Sequence, residues 1–213
     1  GPDGVPDGVI DDYDKTNIGS PMPKFTFGWT NTFRYKNFDL SVFINGSYGN
    51  KVYNYLSMKL THMNSPWTNQ LNAVNGRAQL VPINPNKVYE DGTMWYNDVS
   101  NVMVANPGAS IPRATINDPN DNDRISDRYI EDGSYIRLKN ISLGYTFPKK
   151  TIDKLGLSNL RIYANIQNLL TITGYDGYDP EIGVSTSSVN VYGLDNGRYP
   201  SPTVYSFGLN VSF

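Results

Sequence analysis

Hydrophobic and polar residues alternate with a period of two in five stretches of the chain, which places successive side chains on opposite faces of a β-strand. In residues 203–213 one face carries Tyr205, Phe207, Leu209, Val211 and Phe213, and the other carries Ser206, Gly208, Asn210 and Ser212. Residues 140–147 set Ile141, Leu143, Tyr145 and Phe147 against Ser142, Gly144 and Thr146. Residues 159–169 set Leu160, Ile162, Ala164 and Ile166 against Arg161, Tyr163, Asn165 and Gln167. Nearer the start, Phe25, Phe27, Trp29, Phe33 and Tyr35 alternate with Lys24, Thr26, Gly28, Thr32 and Arg34. Phe38, Leu40, Val42 and Ile44 then alternate with Asp39, Ser41 and Asn45, and Phe43 breaks the pattern.

The alternation predicts strands at 25–35, 38–48, 134–147, 159–170 and 203–213, close to the length that crosses a bilayer at a tilt. A tight turn at Lys36-Asn37 and the moderate segment 148–158 alternate with the long links 49–133 and 171–202. Short links on one side and long links on the other are the up-and-down pattern of an outer-membrane barrel, whose long links are extracellular. The expected fold is all-β: an antiparallel transmembrane β-barrel segment with long extracellular loops. It forms an incomplete single domain over 23–213, after an extracellular acidic loop at 1–22. The apolar faces, including Tyr205, Phe207, Leu209, Val211 and Phe213, would meet lipid, and the polar faces a wet lumen. A soluble antiparallel sandwich also alternates, because one face packs on a core. A secreted soluble β-rich glycan-binding module is therefore the alternative, although two links longer than roughly 15 residues weigh against it.

Composition narrows these options. Only 38% of residues are hydrophobic, and no run approaches the roughly 18 apolar residues of a membrane helix. The 16 Tyr, 8 Phe and 3 Trp suit a membrane interface, where a ring with one apolar and one hydrogen-bonding end is favoured. A net charge of −2 provides no basic face for nucleic acid. The absence of cysteine excludes disulfides, thiolate catalysis and Cys-ligated zinc. The one histidine, His62, excludes a multi-His metal centre and has no paired nucleophile in its neighbourhood. No Ser/His/Asp set is arranged, so no enzyme is expected. The first residue is Gly1 and no signal peptide is present, as in a mature chain or a fragment.

Residues 3–14 form the one candidate metal site. An EF-hand-like loop needs oxygen ligands at fixed loop positions and a glycine at the sixth for the sharp turn. Placing Gly8 there sets Asp3, Asp7, Asp11 and Asp14 at ligand positions, while Val5 falls on another and cannot ligate. Calcium binding and a solvated acidic turn are the two readings of this segment. The acidic group Asp118, Asp121, Asp123 and Asp127 reads as an exposed turn or as a calcium or sugar contact. The aromatics Trp67, Trp95, Tyr96, Tyr175, Tyr178, Tyr192 and Tyr199 fall in the long links. There they either pack the loops together or stack on the C–H faces of sugars or against a partner.

The stretches DGVIDDYDKTNIG at 7–19, PKFTFG at 23–28, FDLSVF at 38–43 and YIRLKNISLGY at 135–145, with NLRIY at 159–163, NLL at 168–170 and the aromatic terminus, together resemble the C-terminal part of SusC/RagA-type TonB-dependent outer-membrane transporters. The resemblance implies a 22-stranded barrel with an internal plug, of which this chain supplies the last strands. It implies import of oligosaccharides or peptides across the outer membrane of a Gram-negative bacterium, with a SusD-like surface lipoprotein as lid. TonB would act through a missing N-terminal part. Outer-membrane lipid and the barrel assembly machinery would be further partners, with Phe213 an assembly residue.

Overall fold

The computed structural model describes residues 1–118, 120–181 and 191–213. In chain order the strands are β1 (Phe25–Tyr35), β2 (Phe38–Tyr48), β3 (Lys51–Asn54), β4 (Leu80–Pro82) and β5 (Val102–Val104). They continue with β6 (Ile130–Asp132), β7 (Tyr135–Thr146), β8 (Asn159–Thr173), β9 (Leu194–Asp195) and β10 (Val204–Ser212). Two short helices, α1 (Tyr55–Thr61) and α2 (Lys149–Ile152), complete the regular structure together with single 3₁₀ turns. The chain divides into two compact units, one of Gly1–Thr16 with Leu56–Ser126 and one of Asn17–Tyr55 with Asp127–Phe213.

The second unit is built on a five-stranded sheet in the order β1-β2-β7-β8-β10, with every neighbouring pair antiparallel. Its register sorts the side chains by face. Phe33, Leu40, Leu143, Ala164 and Phe207 form one rung across all five strands, and Tyr35, Phe38, Tyr145, Ile162 and Leu209 form another on the same face. The rung on the opposite face consists of Thr32, Ser41, Ser142, Asn165 and Ser206. A one-residue slip anywhere would mix the two sets. The sheet is irregular at one point: the register shifts at Lys139 on β7, and Asn168 on the facing strand takes a φ of 51°. An extra residue of this kind bends the strand and re-aims its side chain.

This topology overturns the expectation of a transmembrane β-barrel segment. The five-stranded sheet ends at β1 on one side and β10 on the other; the three-stranded sheet β6-β3-β9 of the same unit and the two-stranded sheet β4-β5 of the first unit are likewise open. Closure takes about eight strands at matched tilt and stagger; five cannot bring the two edges together. Period-two alternation is a property of a single strand and carries no information about closure. The pairing is not uniformly antiparallel either, since β3 and β9 run parallel. The link 49–133 contains β3, α1, β4, β5 and β6.

In the second unit the buried side chains lie largely off the five-stranded sheet and include Val52, Tyr129 and Ile152, with the polar Asn54, Arg137, Asp179 and Asp195 among them. In the first unit Met58 and Ile111 are buried, together with Thr61 and Asn101. Among the described residues no helix is long and apolar enough to cross a membrane.

Candidate functional site

Two features of the second unit stand out: an uncovered apolar face and a buried knot of charge. The apolar face runs over the whole five-stranded sheet. On its outer strands Phe25, Trp29, Phe33, Tyr35, Tyr205, Leu209 and Phe213 are exposed, and Phe207 reaches 83%. Phe38 and Tyr145 meet across strands with ring centroids 4.7 Å apart and their planes tilted by 51°, and the small Ala164 leaves an open apolar trough between Leu143, Ile162 and Phe207. A contiguous apolar surface of this extent marks an interaction face, since scattered exposed hydrophobes need no explanation but large patches do. The face includes the terminal-strand residues Tyr205, Phe207, Leu209 and Val211, which lie on one side of β10.

The opposite face is polar, and its Arg161, Arg137 and Lys139 are paired within the chain. Arg161 on β8 reaches across β7 to Asp39 on β2, with Nη2 2.6 Å from Oδ2, and its guanidinium lies 5.2 Å from the centroid of the Tyr163 ring. That crossing is open because position 144 is glycine: a Cβ there would strike the guanidinium and the Asp39 carboxylate. Farther along, Arg137 on β7 is 3% exposed at its side chain. Its Nε donates to Thr171 Oγ1 at 2.8 Å, its Nη1 to Glu181 Oε2 at 2.7 Å, and its Nη2 to Asp179 Oδ1. The bulge brings Lys139 to the same place, with Nζ donating to Glu181 Oε2 at 2.7 Å.

Asp179 is in turn the anchor for two loop segments. Its Oδ1 accepts the N–H of Glu181 at 2.9 Å and its Oδ2 the N–H of Ser201 at 3.0 Å. Burial alone would raise the carboxyl, but the Ser201 N–H, the Arg137 guanidinium and the Glu181 N–H outweigh it and hold Asp179 below the usual carboxylate range. A second tie lies beside it. The Tyr175 hydroxyl donates to Asp195 Oδ2 at 2.6 Å; burial first, then this carboxylate, pushes the phenol well above its ordinary value. Asp195 also accepts the N–H of Gly197 at 2.9 Å, and Glu131 accepts Asn54 Nδ2 at 2.8 Å and the N–H of Asp176 at 2.9 Å. Nothing in the alternation marks Arg137 as a hub. The signal was present all the same: an arginine and a lysine on a strand face otherwise made of Ser, Thr and Asn require counter-ions.

The residues singled out in the sequence separate between the units. Asp3, Asp7, Asp11 and Asp14 are all exposed in the first unit. Each carboxylate is engaged by nearby backbone: Asp3 accepts the N–H of Val5, Asp7 that of Val9, Asp11 that of Tyr13, and Asp14 that of Asp11. Among the described residues no group of three or more His, Asp or Glu side chains is arranged to hold a metal ion. Trp67 is 91% exposed, while Trp95 and Tyr96 meet edge to face at 5.7 Å. Tyr175, Tyr178 and Tyr192 belong to the second unit; Tyr175 is buried and committed to Asp195, and the other two are exposed. Part of the link 171–202, residues 182–190, lies outside the described residues, as does Pro119 in the acidic group.

His62 has acquired partners that its sequence neighbourhood did not reveal. Its Nε2 lies 2.9 Å from Asp118 Oδ2 and its Nδ1 3.8 Å from Asp123 Oδ2. Asp118 also accepts the N–H and the Nδ2 of Asn122 at 2.6 Å each. Burial raises the Asp118 carboxyl, and the two Asn122 bonds with His62 more than reverse this, leaving it lowered. Asp118 itself is held at a φ of 26°, a conformation that costs a non-glycine residue of order 1 kcal/mol or more.

No family model matches the chain. Among curated proteins, it is 36% identical over 211 residues to TonB-dependent receptor P3 of Formosa agariphila, a match that covers 97% of this chain and 18% of that protein. At family level the chain matches TonB-dependent receptors of the SusC/RagA type. The TonB-dependent receptor P26 of the same organism is 33% identical over 97% of the chain, and SusC of Bacteroides thetaiotaomicron 29% over 97%. The chain spans less than a fifth of the length of these relatives, 17% to 19%. Receptors of this kind are not catalytic. Solved structures of the RagAB peptide importer in its 'closed-closed' and 'open-open' states superpose with TM-scores of 0.61 and 0.62. They cover 92% and 96% of this chain at 20% and 19% identity, and 18% and 20% of those chains, a likeness of fold.

Proposed function

We propose that the chain is a segment of a TonB-dependent importer of oligosaccharides or peptides in the outer membrane of a Gram-negative bacterium, working with a SusD-like surface lipoprotein. The observation that carries the reading is the 36% identity to TonB-dependent receptor P3 over 97% of the chain. The uncovered apolar face supports it independently. Aromatic side chains as exposed as Phe207, Tyr205 and Phe213 have a favourable environment against outer-membrane lipid, where rings with a polar end, such as Tyr35 and Tyr205, sit at the boundary with water. TonB acts, on this reading, through a part of the protein outside these residues. The polar face, with its Arg137 and Arg161 ion pairs, stays away from lipid, where unpaired charge is costly.

Cell fractionation tests the reading. The protein is expected in the membrane fraction, released by detergent, and to copurify with a surface lipoprotein. Recovery as a soluble monomer without detergent refutes it and points to a secreted glycan-binding module.

A further inference from the structure

The first unit contains a cleft of about 520 Å³ lined by Pro82, Asn84, Lys87, Tyr89, Met94 and Trp95 among others. That volume lies within the roughly 300–1,000 Å³ of small-ligand sites. Its walls are pinned from behind by the buried Asn101. The Asn101 side chain donates from Nδ2 to Tyr89 Oη at 2.9 Å and to the Asn84 carbonyl at 3.1 Å, and accepts the Asn84 N–H at 2.7 Å. The Tyr89 hydroxyl donates to Asp98 Oδ2 at 2.8 Å, and Lys87 Nζ donates to the same oxygen at 2.5 Å while lying 5.3 Å from the Tyr89 ring centroid. Trp95 starts a 3₁₀ turn, Trp95–Asn97, and has the Tyr96 ring edge-on at 80°.

Two properties of this cleft select a ligand. First, its rings are held in place before anything binds, so little ordering remains to be done on association. Secondly, its one lining cation is compensated. Lys87 first, then Ser100 and Tyr89, hold the Asp98 carboxyl well below the usual carboxylate range, and Asp98 raises the Lys87 ammonium in return. The pair stays ionised together and cancels, leaving aromatic and proline surface edged by the Asn84 amide and the Lys87 ammonium. A charged peptide or an acidic glycan would meet no free counter-charge. An uncharged ring with one C–H face and equatorial hydroxyls matches both the aromatic wall and the polar rim.

We propose that this cleft is a subsite for a neutral pyranose unit of an oligosaccharide. The proposal rests on the import reading above and adds where, and with which side chains, a sugar is held.

The test uses the intact protein purified in detergent and titrated by calorimetry with malto-, cello-, xylo- and laminari-hexaose, and with a neutral proline-rich peptide. At least one hexaose is expected to bind. Trp95→Ala is expected to weaken that binding at least about tenfold, equivalent to about 1.4 kcal/mol. Trp95→Phe, which keeps a ring, should lose less at an unchanged melting temperature, and Ile125→Ala, at an exposed position outside the lining, should leave affinity as it was. Binding of no hexaose, parental affinity in both Trp95 variants, or Trp95-dependent binding of the peptide in place of the sugars overturns the subsite. Uptake of the same sugars by cells reports the import reading separately. Uptake that persists in Trp95→Ala removes the subsite and leaves import standing.

Discussion

Replacing Arg137 with methionine removes one side chain and exposes the logic of the whole charge knot. The guanidinium makes three hydrogen bonds, to Thr171, Glu181 and Asp179. Glu181 keeps its bond to Lys139 and is 37% exposed, so its loss is that of a surface pair, about 0–1 kcal/mol. Asp179 is different. At 7% exposure it would retain only the N–H groups of Ser201 and Glu181, and a buried charge stripped of its partner costs about 3–5 kcal/mol. The expected total is therefore about 3–5 kcal/mol, dominated by Asp179. The penalty falls on the loop segments that Asp179 ties to the sheet. Amide hydrogen exchange in the intact protein should speed up at Glu181 and Ser201 by about 100-fold or more, with far smaller changes in β1 and β2. Arg137→Met combined with Asp179→Asn removes both charges and should recover much of the loss. The pH dependence has a definite sign. Asp179 is depressed in the folded protein, so its contribution is complete above the unfolded carboxylate value of about 4 and disappears as pH falls through the lower folded value. In Arg137→Met that acid-side loss should shrink. Unchanged exchange at Glu181 and Ser201, or a double variant as damaged as the sum of its parts, would refute the reasoning.

Other consequences can be checked independently. A Cβ at position 208 would overlap the Tyr163 ring, so Gly208→Ala should destabilise the sheet by about 1–3 kcal/mol through forced displacement of that ring; a thermal melt equal to the parent's would contradict this. Asp118 is lowered in the folded protein, so its hold on the Asn122 amide should be full at neutral pH and weaken as pH falls through its depressed value, read as faster exchange at Asn122. Asp118→Asn should show that faster exchange already at neutral pH. The carboxylates of Asp3, Asp7 and Asp11 each accept a backbone N–H two residues on, which is turn chemistry. Exchange at Val5, Val9 and Tyr13 should therefore be the same with calcium and with chelator, and a chelator-dependent change would assign the segment to calcium.

How far the molecule could be read from its sequence depends on which interactions are local. Strands are a local matter: alternation in residues 203–213 coincides with β10 at Val204–Ser212, and the face carrying Tyr205, Phe207, Leu209 and Val211 follows from the period alone. Closure is not local. Nothing in five alternating segments says whether the first and last strands find partners, and in this sheet β1 and β10 remain edges. The bulge at Lys139 was hidden for the same reason, because a register shift is defined by the facing strands. The partners of Arg137 lie 34, 42 and 44 residues away, and those of His62 56 and more. Spacing rules that work within a helix or a turn cannot reach that far. At Asp3, Asp7, Asp11 and Asp14 the observed interactions are local. Their spacing suggests a shared ion, but each carboxylate meets its backbone requirement within two or three residues.

The two faces of the five-stranded sheet show why alternation leaves the environment open while the register and exposure together do not. In a sandwich the rung of Phe33, Leu40, Leu143, Ala164 and Phe207 would be covered by a second sheet about 10 Å away. In this molecule its outer members Phe33 and Phe207 are exposed, and the charged residues Arg161, Arg137 and Lys139 are committed to the other side. Arg161 crosses Gly144 to reach Asp39, and Arg137 and Lys139 converge on Glu181. Arg161, Arg137 and Lys139 are thus paired within the chain, whereas the apolar face is left uncovered. A continuous apolar surface is favourable only where water is excluded, so it is this face that must find its neighbour outside the described residues. Charged substitution discriminates between the faces: Ser206→Lys and Phe207→Lys sit side by side on β10, yet only the second places a charge on the uncovered face. Membrane association should survive the first and be weakened by the second; equal loss from both would show that the faces are not distinct in their surroundings.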